Sequence, residues 1–317
     1  MFGSQWFANP GVTYEIDNSL LFDSGDGAYL ARTPSASNRK TFTISVWFKL
    51  ANVGAANCVM FGAATNTTGS GTYAVLRVPS AANNRLEFWD YTNGTFNYLF
   101  VANAWLRDPA AWYHALAVLD TTQSTEADRA ALYLNGEEVD YVSGGSEYPS
   151  LDYEGQFNSN IAHEIGSAGT GLDQFWDGYM ADVCFIDGTA YAPSDFGETN
   201  DEGVWVPKDV SGLTFGTNGF LMEFGDSSAY GDDTSGNGND YTSNNFGTSG
   251  LFLSQKTDTP TDNFCVLNNL YKPYANITYR YGNLRIATTD SQWNDTAGTI
   301  AVASGKFYWE VTATTVS

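Results

Sequence analysis

Apolar and polar residues alternate in a series of short runs along this chain, and glycines and small polar residues separate the runs. In the clearest run, residues 41–50, every second position is apolar: Phe42, Ile44, Val46, Phe48 and Leu50. Successive side chains of a β-strand point to opposite faces, so a period of two predicts a strand with one buried face. We expect Thr43, Ser45 and Lys49 to form its other, polar face.

Similar runs occur at residues 73–78, 85–91, 112–120, 130–134 and 179–186. Asn93-Gly94 and Asn135-Gly136 lie between strand-like runs, as tight hairpin turns require. Signals for helix are nearly absent; Pro193–Phe196 predicts one short turn with Ser194 as its candidate cap. Many short strands at this spacing predict an all-β fold, an antiparallel sandwich of the jelly-roll type.

The chain is strongly acidic, with 36 Asp and Glu against 14 Lys and Arg among 317 residues and a formal charge of −22. A field of this sign repels phosphate backbones and anionic lipid surfaces. The apolar runs are shorter than the about 18 residues that a transmembrane helix needs. We therefore expect no nucleic-acid partner and no membrane insertion.

Composition divides the chain into four parts. Residues 1–13 carry Phe2, Trp6 and Phe7 and predict an aromatic arm that docks on a partner protein or on a second copy of the chain. We expect the first sandwich in 14–190 and a connecting region packed on it in 191–261. The part 262–317 ends in a strand-like run at 305–312. About 55 residues are too few for an independent sandwich, so this second unit is completed by a partner or belongs to a longer protein.

Three segments of the chain resemble one known family. Ala111–Asp120 and Ala130–Glu137 are similar to the central strands of the laminin-G-like, concanavalin A-like jelly roll, and so is Phe175–Val183 followed by Asp187-Gly188. The resemblance implies a lectin-like sandwich for residues 14–190. A shared fold does not by itself carry a function.

The end of the chain resembles a second family. Ser304–Val311 is similar to an early strand of a SPRY domain, which is also a β-sandwich. Together with Ser37–Phe42 and Thr257–Cys265, the whole architecture resembles the laminin-G plus SPRY proteins of marine bacteriophages, especially those that infect cyanobacteria. This resemblance implies a virion protein that is assembled in the bacterial cytoplasm and released by lysis.

Two functions are open for such a virion protein. The first is a tail fibre or tail-associated adhesin, by family analogy a homotrimer, that attaches to a glycan or protein on the host surface. The second is a capsid decoration or neck protein in which the sandwich is a spacer. Both predict contacts with other virion proteins, and neither is an enzyme.

A third function, degradation of polysaccharides, needs catalytic carboxylates. Retaining glycosidases of this fold carry a Glu-x-Asp-x-Glu strand, and a retaining mechanism needs two carboxyl groups about 5 Å apart. Here Glu15 and Asp17 are followed by Ser19 in place of the last carboxylate. His114 lies between Trp112 and Leu116 in a strand-like run and is expected to be an interior histidine. The sequence predicts no catalytic residue.

Aromatic residues make sugar binding plausible near the middle of the chain. Trp89, Tyr91, Tyr98 and Trp105 lie close together in sequence, with Asp90, Asn93, Asn97 and Asn103 among them. Aromatic faces stack on sugar rings, while amides and carboxylates fix hydroxyl groups, and a glycan site needs both. The alternative is that half of these rings fill the core of the sandwich.

One loop has the pattern of a calcium site. Asp233, Ser235 and Asn237 alternate before Gly238, and Asp240 follows, which resembles the first half of a calcium-binding loop. The twelfth position is Asn244 rather than a bidentate glutamate. A solvated turn is the alternative, because such residues are also typical of turns. Calcium is the only cofactor that the sequence suggests.

Overall fold

The computed structural model describes residues 14–51, 58–65, 71–79, 84–169, 174–247, 253–271, 276–288 and 294–313. The predicted arm with Phe2, Trp6 and Phe7 lies outside the described residues. The strands, in chain order, are β1 (Ser19–Phe22), β2 (Tyr29–Arg32), β3 (Thr41–Leu50), β4 (Cys58–Ala64), β5 (Thr72–Val78), β6 (Glu87–Thr92), β7 (Thr95–Ala102), β8 (Trp112–Asp120), β9 (Ala130–Leu134), β10 (Glu137–Glu138), β11 (Tyr141–Glu147), β12 (Ala162–Ile165), β13 (Gly178–Asp187), β14 (Gly197–Thr199), β15 (Trp205–Pro207), β16 (Phe220–Met222), β17 (Thr242–Asn244), β18 (Gln255–Lys256), β19 (Ile277–Arg280) and β20 (Arg285–Thr288). Two short 3₁₀ turns cover Glu126–Asp128 and Pro193–Asp195.

Two eight-stranded antiparallel sheets form the sandwich, and two separate two-stranded sheets pair β14 with β15 and β19 with β20. Sheet I has the order β10-β9-β8-β3-β13-β1-β18, and β16 also pairs with β13. Sheet II has the order β11-β7-β6-β5-β4-β12-β2-β17. Neighbouring strands are often distant in sequence, as in a jelly roll, so the predicted fold class is confirmed. The strands β16 to β18, from the region 191–261, belong to these two sheets rather than to a separate body.

The inner faces of the two sheets form the core. Phe42 of β3 lies between rings from several elements, at 5.7 Å from Phe157 and 5.6 Å from Phe185. Trp176, at 0% exposure, packs edge-on against Phe48. Burial of a large apolar side chain contributes about 1.5–3 kcal/mol, so these rings fix the distance between the sheets.

The strand predictions are confirmed closely at β3, β8 and β9, whose bounds match the alternating runs. Both predicted hairpin turns are present. Asn93 and Asn135 have φ values of 49° and 50°, and the glycines that follow them are also left-handed. The short turn at Pro193 is present too, but Ala192 rather than Ser194 occupies the capping position.

The prediction that β3 has only one buried face is wrong. Its apolar positions face the core as expected, but Ser45, Trp47 and Lys49 are also at most 4% exposed. Later parts of the chain cover the outer face of sheet I, because Phe196, Val210 and Phe215 pack against Leu116 of β8 and its neighbours. Apolar residues at every second position identify a strand, but they do not show which parts of the chain cover its polar face.

A buried ion pair fixes part of this cover. Lys49 Nζ lies 2.8 Å from Asp258 Oδ2, and both side chains are at most 5% exposed. The same ammonium donates to Asn263 Oδ1 and to the Phe264 carbonyl oxygen at 2.8 and 2.9 Å. Asp258 Oδ1 accepts a hydrogen bond from Trp112 Nε1 at 2.9 Å. A buried ion pair is tolerated when its remaining donors and acceptors are satisfied in this way.

The predicted strand at 305–312 does not form in the described part of the chain, where residues 301–313 have no regular structure. Trp309 and Val311 are each 79% exposed. A strand needs a neighbour for its backbone hydrogen bonds, and an alternating sequence alone does not supply one. The preceding hairpin β19–β20 is attached to the sandwich through Arg280, which pairs with Asp23 and Asp26.

Candidate functional site

The outer face of sheet II carries a group of packed aromatic rings. Backbone pairing places Tyr73 beside Tyr91, and Tyr91 beside Phe96, across β5, β6 and β7. Their ring centroids lie 5.3 and 5.2 Å apart. Trp89 packs against Tyr73 at 5.0 Å and against Phe96 at 5.6 Å. We call these four residues the aromatic face.

The rings of the aromatic face differ in exposure. Phe96 is 37% exposed and Trp89 only 4%, while Tyr73 and Tyr91 are half-buried. Alternation along β6 explains this orientation, because Phe88 and Asp90 point inward while Trp89 and Tyr91 point outward. Trp89 is therefore the base on which three more accessible rings rest.

An ion pair holds Trp89 in place. Arg77 Nε lies 2.9 Å from Glu87 Oε2, and the Arg77 guanidinium lies 4.9 Å from the Trp89 ring centroid. Trp89 Nε1 donates to the same Glu87 oxygen at 3.2 Å. A half-buried pair that also satisfies an indole N–H fixes the orientation of the ring, so the face is preorganised.

The four rings singled out from sequence do not form one surface. Trp89 and Tyr91 lie together, but Tyr98 is 0% exposed in the core, where it packs 4.9 Å from Phe88. A completely buried ring cannot stack on a sugar, so the choice of Tyr98 is wrong. Trp105 is 45% exposed and lies beyond the end of β7, outside the aromatic face.

A groove of about 520 Å³ begins beside Phe96. Its other walls come from polar and aromatic side chains: Asn97, Glu126, Ser146, Glu147, Tyr148, Ser150 and Tyr153. Asp90 lies beside it and accepts hydrogen bonds from Asn97 Nδ2 at 2.8 Å and from the Tyr153 hydroxyl at 2.9 Å. Burial raises the pKa of the Asp90 carboxyl, and these hydrogen bonds oppose the shift. Asp90 therefore positions two groove residues.

Sequence reasoning missed several residues of this region. Tyr73 and Phe96 could have been found, because extending the hairpin from the Asn93-Gly94 turn places Phe96 opposite Tyr91. Tyr148 and Tyr153 carry no such signal. They reach the groove from a loop more than fifty residues away, and only the fold brings them there.

The predicted calcium ligands lie in one loop, where they bond to the chain itself. The Asp233 carboxylate accepts hydrogen bonds from the backbone N–H groups of Leu221, Ser235 and Asn239 at 2.8–3.0 Å. Asp240 Oδ1 accepts from the Asp233 backbone N–H, and Asn237 Nδ2 donates to the carbonyl oxygens of Gly216 and Gly219. Ser235 Oγ accepts from the Asn237 backbone N–H. These bonds close the loop, and calcium binding here stays a prediction.

A serine and a histidine meet inside the protein. Ser45 Oγ lies 2.8 Å from His114 Nε2, and Trp205 Nε1 donates to His114 Nδ1 at 3.2 Å. Because Nδ1 accepts, the proton of the neutral ring is on Nε2, and His114 donates to Ser45 rather than accepting its proton. Burial lowers the pKa of His114 to about 3. His114 is therefore an interior histidine, as expected, and the pair is not an activated nucleophile.

The segment compared with the glycosidase pattern does not assemble two carboxylates. Glu15 and Asp17 are exposed, whereas Ser19 is buried and its Oγ donates to the Asp258 carbonyl oxygen at 2.6 Å. In the described part of the chain no group of three or more His, Cys, Asp and Glu side chains is arranged to hold a metal. No helix among the same residues is long and apolar enough to cross a membrane.

Fold and surface together define a lectin-like β-sandwich. The chain belongs to the concanavalin A-like lectin/glucanases superfamily, whose sequence model matches residues 22–192, more than half of the 317 residues. Among curated proteins, none matches this chain.

Solved structures share the fold at low sequence identity. A proposed carbohydrate-binding protein from Bacteroides ovatus ATCC 8483 is 16% identical, with a TM-score of 0.51, over 77% of this chain and 60% of that protein. A heptameric SAP-like pentraxin from Limulus polyphemus is 16% identical over 57% of this chain and 81% of the pentraxin, with a TM-score of 0.40. Tailspike protein 2 from Escherichia coli O157:H7 bacteriophage CAB120 is 12% identical over 59% and 28% of the two chains, with a TM-score of 0.35.

Proposed function

We propose that this chain is a non-catalytic glycan-binding module, and that it binds its glycan on the aromatic face of sheet II. The observation that carries the proposal is the tilted and edge-to-face packing of Tyr73, Tyr91 and Phe96 on a platform of three paired strands, with Trp89 as its base. Sugar rings present C–H faces that stack on such rings, and rings fixed in advance lose little entropy on binding.

The groove beside Phe96 adds the second requirement of a glycan site. The side-chain oxygen of Asn97 and the hydroxyl groups of the exposed Ser146 and Ser150 can bind sugar hydroxyls, next to the half-buried rings of Tyr148 and Tyr153. Polar donors and acceptors placed beside aromatic surface give orientation as well as affinity. A glycan on the aromatic face would extend past Phe96 into this groove.

Alanine substitution tests the platform. Binding of the whole chain to a glycan array identifies a ligand, and calorimetry then compares Tyr91→Ala and Phe96→Ala with the exposed control Tyr271→Ala. Loss of one stacking ring lowers affinity about tenfold, whereas the control leaves it unchanged. Unchanged affinity in both platform variants, or no glycan bound at all, contradicts the proposal. Release of reducing ends from a bound polysaccharide would instead show an enzyme.

We further propose that the chain acts in a bacteriophage virion, as a tail fibre or tail-associated adhesin for a host-surface glycan. The sequence resemblance to laminin-G plus SPRY phage proteins supports this role, and the platform supplies a surface on which such an adhesin could bind. A cryo-electron microscopy map of the particle tests it. Copies on the tail support attachment, copies over the capsid lattice favour decoration, and absence from the particle refutes a virion role.

A further inference from the structure

Two arginine side chains pack against the indole ring of Trp105. The guanidinium carbon of Arg85 lies 4.9 Å from the ring centroid, and that of Arg107 lies 4.4 Å from the same centroid. Because both distances end at one ring, the two guanidinium carbons lie no more than 9.3 Å apart, the sum of the two distances. Trp105 is 45% exposed, Arg107 is exposed and Arg85 is half-buried, so the cluster lies at the surface.

This cluster is unusual in a chain with 36 acidic and 14 basic residues. Six other basic side chains form salt bridges with Asp or Glu, but among the described residues neither Arg85 nor Arg107 does. Arg85 uses one terminal nitrogen to donate to the Ala102 carbonyl oxygen at 3.2 Å and to Asn103 Oδ1 at 2.8 Å. A guanidinium has five N–H donors, so most of those in the cluster remain available.

The cluster continues the outward row of the aromatic face. Backbone bonds from Ala102 to Leu86 and from Leu106 to Asn84, at 2.9 and 2.8 Å, extend the β6–β7 pairing beyond β6. Leu86 points inward at 0% exposure, and therefore Arg85 takes the next outward position after Glu87. From Tyr91 to Arg85 the row is about 20 Å long at about 3.3 Å per residue.

We propose that Arg85 and Arg107, held on Trp105, bind carboxylate or sulfate groups of an acidic glycan. The rest of that glycan lies along the aromatic face, so this inference rests on the proposed function. Two like charges held on one ring repel each other, and an oxyanion bound to either guanidinium weakens that repulsion. Their planar N–H donors match the geometry of carboxylate and sulfate oxygens. The adjacent aromatic face receives the uncharged parts of the sugars.

Matched pairs of glycans test this assignment. The array contains an oligogalacturonate beside its methyl ester, and a sulfated galactan oligosaccharide beside its desulfated form. Tighter binding of the acidic member in at least one pair supports the inference, and the pair that shows it identifies carboxylate or sulfate as the recognised group. If the acidic members bind no better than their neutral partners, the inference is refuted.

Substitutions then locate the recognition. Arg85→Gln and Arg107→Gln each weaken binding of the acidic glycan about fivefold, and both together weaken it more than either alone, while binding of the neutral partner is unchanged. Arg107→Lys keeps the charge and recovers part of the loss. Arg285→Gln is the control, because Arg285 is also exposed and its guanidinium lies 5.9 Å from the Tyr281 ring.

The outcomes separate the two proposals. A preference for acid that persists in the double arginine variant refutes the assignment of Arg85 and Arg107 but leaves the aromatic face intact. If the double arginine variant loses the preference for acidic glycans, while Tyr91→Ala and Phe96→Ala change the binding of no glycan, the arginine site is supported. The same result refutes glycan binding on the aromatic face. Absence of binding to every glycan refutes both.

Discussion

Asp182 gives the protein a stability that depends on pH. The residue lies at a bulge where β13 changes partner, since its first half pairs with β1 and its second half with β16. Its φ is 42°, its side chain is buried, and the Tyr14 hydroxyl donates to Oδ2 at 3.2 Å. Burial, aided by the nearby Glu223, raises the pKa of this carboxyl from 3.8 to about 7.

The sign and size of the effect follow from that shift. A raised pKa means that the folded protein binds the proton more tightly than the unfolded chain does. The resulting stabilisation is fully present below about pH 4 and is lost as the pH rises to about 7. One pKa unit is equivalent to about 1.36 kcal/mol, so a shift of about three units is worth about 4 kcal/mol.

Asp182→Asn removes the titrating carboxyl group and keeps the shape of the side chain. Asparagine tolerates a left-handed φ, and its side-chain oxygen can still accept from Tyr14. We expect the variant to match the parent chain at pH 4 and to be more stable by about 4 kcal/mol at pH 7.5. At about 2 °C per kcal/mol this is a rise of about 8 °C in Tm.

Urea denaturation of both chains at a series of pH values measures the difference directly. Asp226→Asn is the control: hydrogen bonds from Ser228 lower the pKa of the exposed Asp226 carboxyl, so its contribution is lost as the pH falls. A difference between Asp182→Asn and the parent chain that stays constant from pH 4 to pH 7.5 would refute the reasoning.

Three further predictions concern packing and buried groups. Lys49→Met leaves Asp258 charged without its partner and lowers the free energy of unfolding, measured by urea denaturation, by about 3–5 kcal/mol. Adding Asp258→Asn restores part of this loss, and a change below about 1 kcal/mol would contradict the role of the pair. His114, with a pKa of about 3, shows no titration by NMR between pH 5 and pH 8, and a titration there would reveal water at the ring. Gly231→Ala lowers Tm because the added Cβ would clash with the Tyr241 carbonyl oxygen, whereas Gly212→Ala, with open space around it, does not. Equal effects of the two substitutions on Tm would contradict the packing argument.

The strands and turns were predictable because they depend on local pattern. In β8 and β9 the alternating side chains gave the bounds, and Asn135-Gly136 gave the turn that follows. The cover of sheet I was not predictable, since Phe196 and Phe215 reach Leu116 from distant parts of the chain. The strand prediction for residues 305–312 was wrong for the same reason, because a strand needs a hydrogen-bonded neighbour that its own sequence does not specify.

The candidate site shows the same division. Trp89 and Tyr91 were found because outward aromatic residues on one strand are visible in sequence. Tyr98 was misassigned because the bulge between β6 and β7 shifts the register by one residue, which turns Tyr98 toward the core beside Asp90. The pairing of Trp105 with Arg85 depends on register as well, and sequence spacing alone does not reveal it.

The sheets are closed by strands from distant parts of the chain, which has a consequence for how the protein is made. Ser19 of β1 pairs with Lys256 of β18, and Leu30 of β2 pairs with Ser243 of β17. During synthesis, β1 and β2 therefore cannot pair with β18 and β17 until more than 200 further residues have been translated. Contacts of such long range slow folding. A fragment limited to residues 22–192 would present open strand edges that favour aggregation. Recombinant work on this sandwich should keep the chain through β18.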